Sequence, residues 1–140
     1  MAAMTEERAT QYREKLTATP QALSGIREKI RSHLGIWGLM HIADEVEFGA
    51  NELLTNVSQH TGSDECELAL VLKDTSLRVS VSDTSTALPK PRAQSLVEVR
   101  GRGLTTIAAM AVAWGAEVNS ETNGKDVWFE LSVMEGELAA

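Results

Sequence analysis

The 140-residue chain has a single cysteine, Cys66. No intramolecular disulfide can form, and thiolates cannot build a zinc cluster. That usage fits a reducing cytoplasm, the expected location. Positive charge is also scarce: 13 Lys and Arg stand against 20 Asp and Glu, giving a net charge of −7 and a sequence pI near 4.9. Such a balance argues against a general binder of nucleic acid or anionic membrane, so neither is an expected direct partner. A local phosphate site is still compatible with it, because backbone N–H groups at a helix start bind phosphate without net charge. Long apolar runs are missing too. The longest, Leu104 to Ala116, is interrupted by Thr105 and Thr106 and is well short of the roughly 20 residues that cross a bilayer. The opening MAAMTEERAT lacks the basic patch and apolar run of a signal peptide. There is no internal repeat and no low-complexity segment.

What is present suits one compact domain: 43% of residues are hydrophobic, and this length buries one real core. Residues 1–9 read as a loose tail, 10–134 as the domain and 135–140 as a second tail. QYREKLT, from Gln11, is ambiguous between a short edge strand and the start of a helix. Thr19-Pro20 reads as an N-cap with proline at the first helical position. Leu23, Ile26, Ile30 and Leu34 then recur at helical steps, and Gly35 and Gly38 end the pattern. A second helix is expected from about Leu39 to His60, with Ile42, Val46, Leu53 and Val57 as its core stripe and Thr61-Gly62 as its stop. The period then changes to two. Cys66, Leu68, Leu70 and Leu72, followed by Leu77, Val79 and Val81, predict a hairpin around Asp74-Thr75-Ser76 that ends at Asp83. Residues 84–100 carry Pro89 and Pro91 without periodicity, and a loop of that length is usually functional. GRGLTTIAAMAVA reads as a glycine turn opening an apolar helix, and two more strands are expected around Asn123-Gly124. The order predicts an α+β fold: a single-domain, two-layer sandwich with about three helices on one face of a mixed, mostly antiparallel sheet.

Three polar islands interrupt this core pattern. Glu52, Asn56 and His60 lie one helical turn apart in a single column beside the Leu53/Val57 stripe. A carboxylate and an amide oxygen so spaced can serve Mg²⁺, which takes one or two protein oxygens and keeps water and phosphate. The carboxylate can instead orient a hydroxyl or water, and a plain solvated helix face is the bland alternative. Asp83, at a strand exit, can accept from a ligand amine or be an ordinary turn aspartate. RGRGLTTI, from Arg100, places glycines and arginines at a helix start, where N–H groups and the helix dipole favour an anion. It is not a Walker loop, since no Gly-Lys-Ser/Thr follows.

In order along the chain, NELLTNVSQH, VSDTSTALP, GRGLTTIAAMAVAWG and GKDVWFEL resemble the N box, the two glycine boxes and the closing strand of the GHKL ATP-binding superfamily. The likeness is to its small bacterial anti-sigma-factor serine kinases and their regulatory relatives, and it covers about residues 12–133. It implies a Bergerat-type ATP-binding fold using ATP and Mg²⁺. It implies Glu52 as general base or hydroxyl-orienting group, and Asn56 as the Mg²⁺ ligand. Asp83 would accept from the adenine amino group. Gly101, Arg102, Gly103 and Leu104 would cradle the phosphates, with a hydroxyl from Thr105, and residues 84–100 would be a short lid. Two departures stand out. Asp-Thr-Ser-Thr replaces Asp-x-Gly-x-Gly in the first glycine box, and Lys125-Asp126 follow Gly124 where Thr or Ser is usual.

The activity the resemblance implies is ATP-dependent phosphorylation of an antagonist protein on serine or threonine, alternating with binding of a sigma factor, and family members often pair as homodimers. The glycine-poor first box keeps open a second reading, a nucleotide-sensing interaction module without turnover. A sensor histidine kinase is disfavoured, because no helix pair with a phosphoacceptor histidine precedes the domain. Trp114 and Trp128 are expected to pack the sheet against the helices, Cys66 to be core, and Met4, Met40, Met110 and Met134 to be apolar filler.

Overall fold

The computed structural model describes residues 10–60, 65–83, 101–119 and 124–134; side chains of residues 58–60, 101–105 and 119 are not described. The predicted tails, the lid at 84–100, the Thr61-Gly62 stop and Asn123 lie outside the described residues. The elements are β1 (Gln11–Thr17), α1 (Pro20–Ile36), a 3₁₀ turn (Met40–Ile42), α2 (Ala43–His60), β2 (Glu65–Leu72), β3 (Ser76–Asp83), α3 (Gly101–Met110), β4 (Ala113–Asn119) and β5 (Gly124–Ser132). The five strands form one sheet in the order β1-β2-β3-β5-β4, and all its described pairings are antiparallel. The fold is thus the expected single-domain α+β sandwich, with no parallel pair among the described strands.

The ambiguous segment at Gln11 is an edge strand, paired along its whole length with β2. Tyr12, Glu14 and Leu16 face the helices. The Glu14 carboxylate accepts from Lys29 Nζ of α1 at 2.8 Å, and the Tyr12 hydroxyl donates to Glu14. The Lys29 hydrogen bond is the main reason that the Glu14 carboxyl sits below its ordinary value, while burial pushes the Tyr12 phenol well above its own. Tyr12 also stacks on His33 of α1, with ring centroids 4.2 Å apart.

Helix α1 starts and stops where its end residues direct. Thr19 Oγ1 accepts from the Ala22 N–H at 3.2 Å, and Pro20 fills the first position. At the other end Gly38 has φ 74°, the left-handed conformation that glycine adopts without strain. The Leu39 N–H then returns to the Leu34 carbonyl at 2.7 Å, and the Gly38 N–H to Gly35 at 3.2 Å. That pair of bonds is a Schellman stop. Ile26, Ile30 and Leu34 are its buried stripe.

Helix α2 is the central helix, touching α1, α3, β2, β3 and β5. Its close approach to the sheet rests on Gly49. A Cβ there would lie 2.2 Å and 2.5 Å from ring carbons of Phe129, which is fully buried. Val46, Ala50, Leu53, Leu54 and Val57 seal the layer against Leu68, Leu70, Leu77, Val79 and Val81.

Three expectations are corrected. The apolar helix opened by GRG ends at Met110, and the chain is already a strand at Ala113. Sustained hydrophobicity cannot tell a buried helix from a buried strand. Trp128 does not pack the sheet against the helices. It pairs across the ladder with Ser80 and Gly115, on the face opposite the core. There the Arg78 guanidinium lies 3.9 Å over its ring, and Gly115 leaves room for the indole. Trp114 faces the helix side but stays 39% exposed, as do Met40 and Met134 at 46% and 47%, so these are not core filler. Cys66 is buried, as expected.

Candidate functional site

The register of the sheet defines the site. On the helix-covered face, Leu77 pairs with Leu131, Val79 with Phe129 and Val81 with Val127. The next row in the same alternation is Asp83 opposite Lys125. Apolar rows therefore give way to one charged row at the end of β3 and the start of β5. Both charges are buried, Asp83 with 2% and Lys125 with 9% of its surface exposed.

Helix α2 runs toward that row. Its start is beside the opposite end of β5, where His41 Nε2 meets the Val133 carbonyl at 3.0 Å. Gly49 sits over Phe129. Two turns further along, about 10 Å at 1.5 Å per residue, comes Asn56. The Asp83–Lys125 row is displaced from the Phe129 row in the same direction by about 13 Å of strand. Helix α3 brings a third element. It packs on α2 and β4, and only Ala111 and Val112 link it to β4, with Val112 N–H bonded to the Glu130 carbonyl. So short a link reverses the chain. The helix begins, at Gly101, toward the end of the sandwich where β4 finishes opposite Gly124.

Asn56 is the most informative side chain. It is 6% exposed, and its Oδ1 has no hydrogen-bond partner among the described residues. A buried amide oxygen left without a donor costs about 1–3 kcal/mol. Buried polar atoms that persist unsatisfied call for an explanation such as a ligand or ion. Glu52 is half-buried one turn earlier on the same helix face and has interactions of its own. The fit to Mg²⁺ is good in kind: one uncharged, unsatisfied oxygen, one helical turn from a carboxylate, suits an ion that takes one or two protein oxygens and completes its shell with phosphate and water. Among the described residues no group of three His, Cys, Asp or Glu is placed to hold a metal by protein atoms alone.

The structure thus gathers Glu52, Asn56, Asp83 and the N-terminus of α3 at one end of the sandwich. The backbone of Gly101, Arg102, Gly103, Leu104 and Thr105 forms the first turn of α3, where N–H groups lack intrahelical partners and can meet an anion. Their side chains, and that of His60, lie outside the described residues. Sequence reasoning noted Lys125 only as a departure in the closing strand, and the register now sets it in this buried row. The signal was present, since Lys125 falls on the apolar phase of a strand in which Val127, Phe129 and Leu131 continue that face. A separate groove, lined by Arg27, Asp44, Glu47, Phe48 and Asn51, lies on the outer side of α1 and α2, away from this end.

With that geometry in place, the comparison with known families is specific. The histidine kinase-like ATPase domain family matches residues 16–131. The chain belongs to that family, and its domain is an ATP-binding, kinase-like ATPase domain. No curated protein matches the chain significantly. No helix among the described residues is long and apolar enough to cross a membrane.

Proposed function

We propose that the protein is a regulatory serine/threonine protein kinase that transfers the terminal phosphate of ATP to a partner antagonist protein in a partner-switching system, with a sigma factor as the alternative partner. The observation that carries this reading is the pairing of Glu52 with Asn56. A half-buried carboxylate stands one turn from a buried, unsatisfied amide oxygen, at the end of the fold where a helix N-terminus is also aimed. Phosphoryl transfer asks a protein mostly for positioning and charge stabilisation. Asn56 would hold Mg²⁺, which when bound neutralises phosphate charge. The first turn of α3 would bind the phosphate oxygens through its N–H groups. Asp83 would accept from the adenine amino group. Glu52 would take the proton of the incoming serine or threonine hydroxyl as its oxygen bonds to phosphorus and ADP leaves.

General-base assistance contributes about 10²–10⁴-fold in rate. Glu52→Ala should therefore reduce phosphotransfer by that factor and leave ATP affinity within a few-fold, in a helix that alanine suits. The test is incubation with labelled ATP, Mg²⁺ and candidate antagonist proteins. Transfer by the wild type at an undiminished rate in the Ala variant would remove Glu52 from the chemistry. The glycine-free first box, Asp83-Thr84-Ser85-Thr86, favours a second reading, a nucleotide-sensing module without turnover. Wild-type protein that binds ATP yet neither hydrolyses it nor phosphorylates a partner would establish that one. Homodimer formation belongs to the same proposal and is read by sedimentation with and without ATP.

A further inference from the structure

The charged row at the end of the sheet carries more than the acceptor assigned to it above. Across the helix-covered face that row reads Leu16, Cys66, Asp83, Lys125, Val118, each residue the registered partner of the next. Only Asp83 and Lys125 in it bear charge, and directly opposed residues on one face have Cβ atoms about 4.5–5.5 Å apart. Lysine is almost never buried to this degree unless its ammonium is bonded. In the sheet layer, Asp83 is its one charged neighbour in the row. An ammonium has three N–H donors, so a bond to Asp83 leaves others for a further acceptor. The row therefore presents an acceptor and a donor side by side.

We infer that Lys125 is a second base-reading residue: its ammonium donates to N1 of adenine while the Asp83 carboxylate accepts from the N6 amino group. This rests on the nucleotide-binding reading above. The adenine edge offers a donor, N6–H, beside an acceptor, N1, which is the complement of a carboxylate beside an ammonium. Hypoxanthine and guanine offer the reverse, an O6 acceptor beside an N1–H donor. Either base would set acceptor against Asp83 and donor against Lys125, and both contacts would fail.

Titration calorimetry with the Mg²⁺ complexes of ATP, 1-deaza-ATP and ITP tests the assignment on wild-type protein and Lys125→Met. Wild type should bind ATP at least about tenfold more tightly than 1-deaza-ATP, the span of one charge-assisted hydrogen bond. It should reject ITP more strongly still. Lys125→Met should bind ATP and 1-deaza-ATP equally, at the weaker level. If the variant binds ATP as well as the wild type does, or still prefers it over 1-deaza-ATP, Lys125 is not a reader, although the nucleotide site stands. Wild-type protein that binds none of the three nucleotides overturns the nucleotide reading and the assignment together. A nucleotide-free measurement isolates the pair itself. The urea midpoints of Asp83→Asn, Lys125→Met and the double variant should be non-additive, because neighbours that share a bond couple. Additive midpoints would show that the two side chains do not meet and would overturn the inference.

Discussion

Replacing Asn56 by leucine separates what this residue does for folding from what it does for a ligand. The two side chains share a branched shape, and the substitution removes an oxygen that is buried and unsatisfied among the described residues. Two contributions favour the variant. Removing an orphaned buried acceptor returns part of the roughly 1–3 kcal/mol it costs. Leucine is also a better helix former than asparagine, by about 0.5 kcal/mol. Crowding against Leu53 and Val57 opposes them, since methyl groups are larger than amide atoms and overpacking costs about 1 kcal/mol or more. The net expectation is a nucleotide-free protein more stable by about 1 kcal/mol, seen as a thermal midpoint higher by about 3 °C in a chain of this size. The same variant should lose Mg²⁺-dependent ATP binding, and EDTA should have the same effect on the wild type. Thermal melts in the absence of nucleotide and calorimetry with Mg-ATP are the two assays. A variant destabilised by well over the crowding cost, about 3 kcal/mol or more, would mean that the oxygen is already bonded in the free protein. A variant that still binds ATP in a Mg²⁺-dependent way would place the metal elsewhere.

Other consequences of the packing can be checked in the same assays. Gly49→Ala sets a methyl group within 2.5 Å of the Phe129 ring, and urea denaturation should show a loss of about 1–3 kcal/mol despite the better helix propensity; a gain would mean that α2 can lift off the sheet without cost. The Glu130 carboxyl is held below its ordinary value chiefly by the Lys73 hydrogen bond, helped by Arg78 against the effect of burial. Folding therefore favours the ionised form, so its contribution is complete above about pH 5 and lost as pH falls through the lowered folded value. Glu130→Gln should flatten this part of the acid limb of a stability-against-pH curve, leaving the share of Glu14, which is shifted the same way by Lys29; an unchanged limb would show that the cluster on the helix-free face is too solvated to matter. Thr19→Ala removes the acceptor for the Ala22 N–H and should cost about 1 kcal/mol, restored in large part by Thr19→Ser.

Most elements could be read from the chain because their local signals and their tertiary roles agree. The cap at Thr19-Pro20, the stop at Gly38 and the period-two runs at Cys66–Leu72 and Leu77–Val81 all mark what the structure contains. The readings that failed did so where the deciding information is non-local. The segment at Gln11 looked ambiguous because Glu14 occupies a helix-facing position in the alternation. Its partner, Lys29, belongs to the next element. Nothing at Ala111 punctuates the change from helix to strand, since no glycine or proline falls there and the apolar run continues. Trp128 has the right period for a strand, but the period does not tell which face the helices cover. Arg78, which lies against it, is far away in sequence. The site followed the same rule. Glu52, Asn56 and Asp83 stood out as polar residues on apolar patterns, whereas the meaning of Lys125 needed the register that sets it opposite Asp83.

The charged row can sit where it does because the fold is secured elsewhere. Three apolar rows of β3 and β5 precede it, and the tight approach of Gly49 to Phe129 lies two rows back, at Val79–Phe129. The position of α2, and with it the height of Glu52 and Asn56 above the sheet, is thus fixed by contacts that contain no member of the site. Residues about 10 Å apart without shared partners usually contribute independently to stability. Changes at Asn56, Asp83 or Lys125 should therefore alter ligand binding without moving the frame, and changes at Gly49 or Phe129 should move the frame and all of the site together. A Gly49→Ala variant that remains folded makes that distinction measurable. Its loss of ATP affinity should accompany a shift of α2, whereas Asn56→Leu should abolish binding in a protein at least as stable as the wild type. If Gly49→Ala instead bound ATP normally while destabilised, the site would not depend on the height of α2.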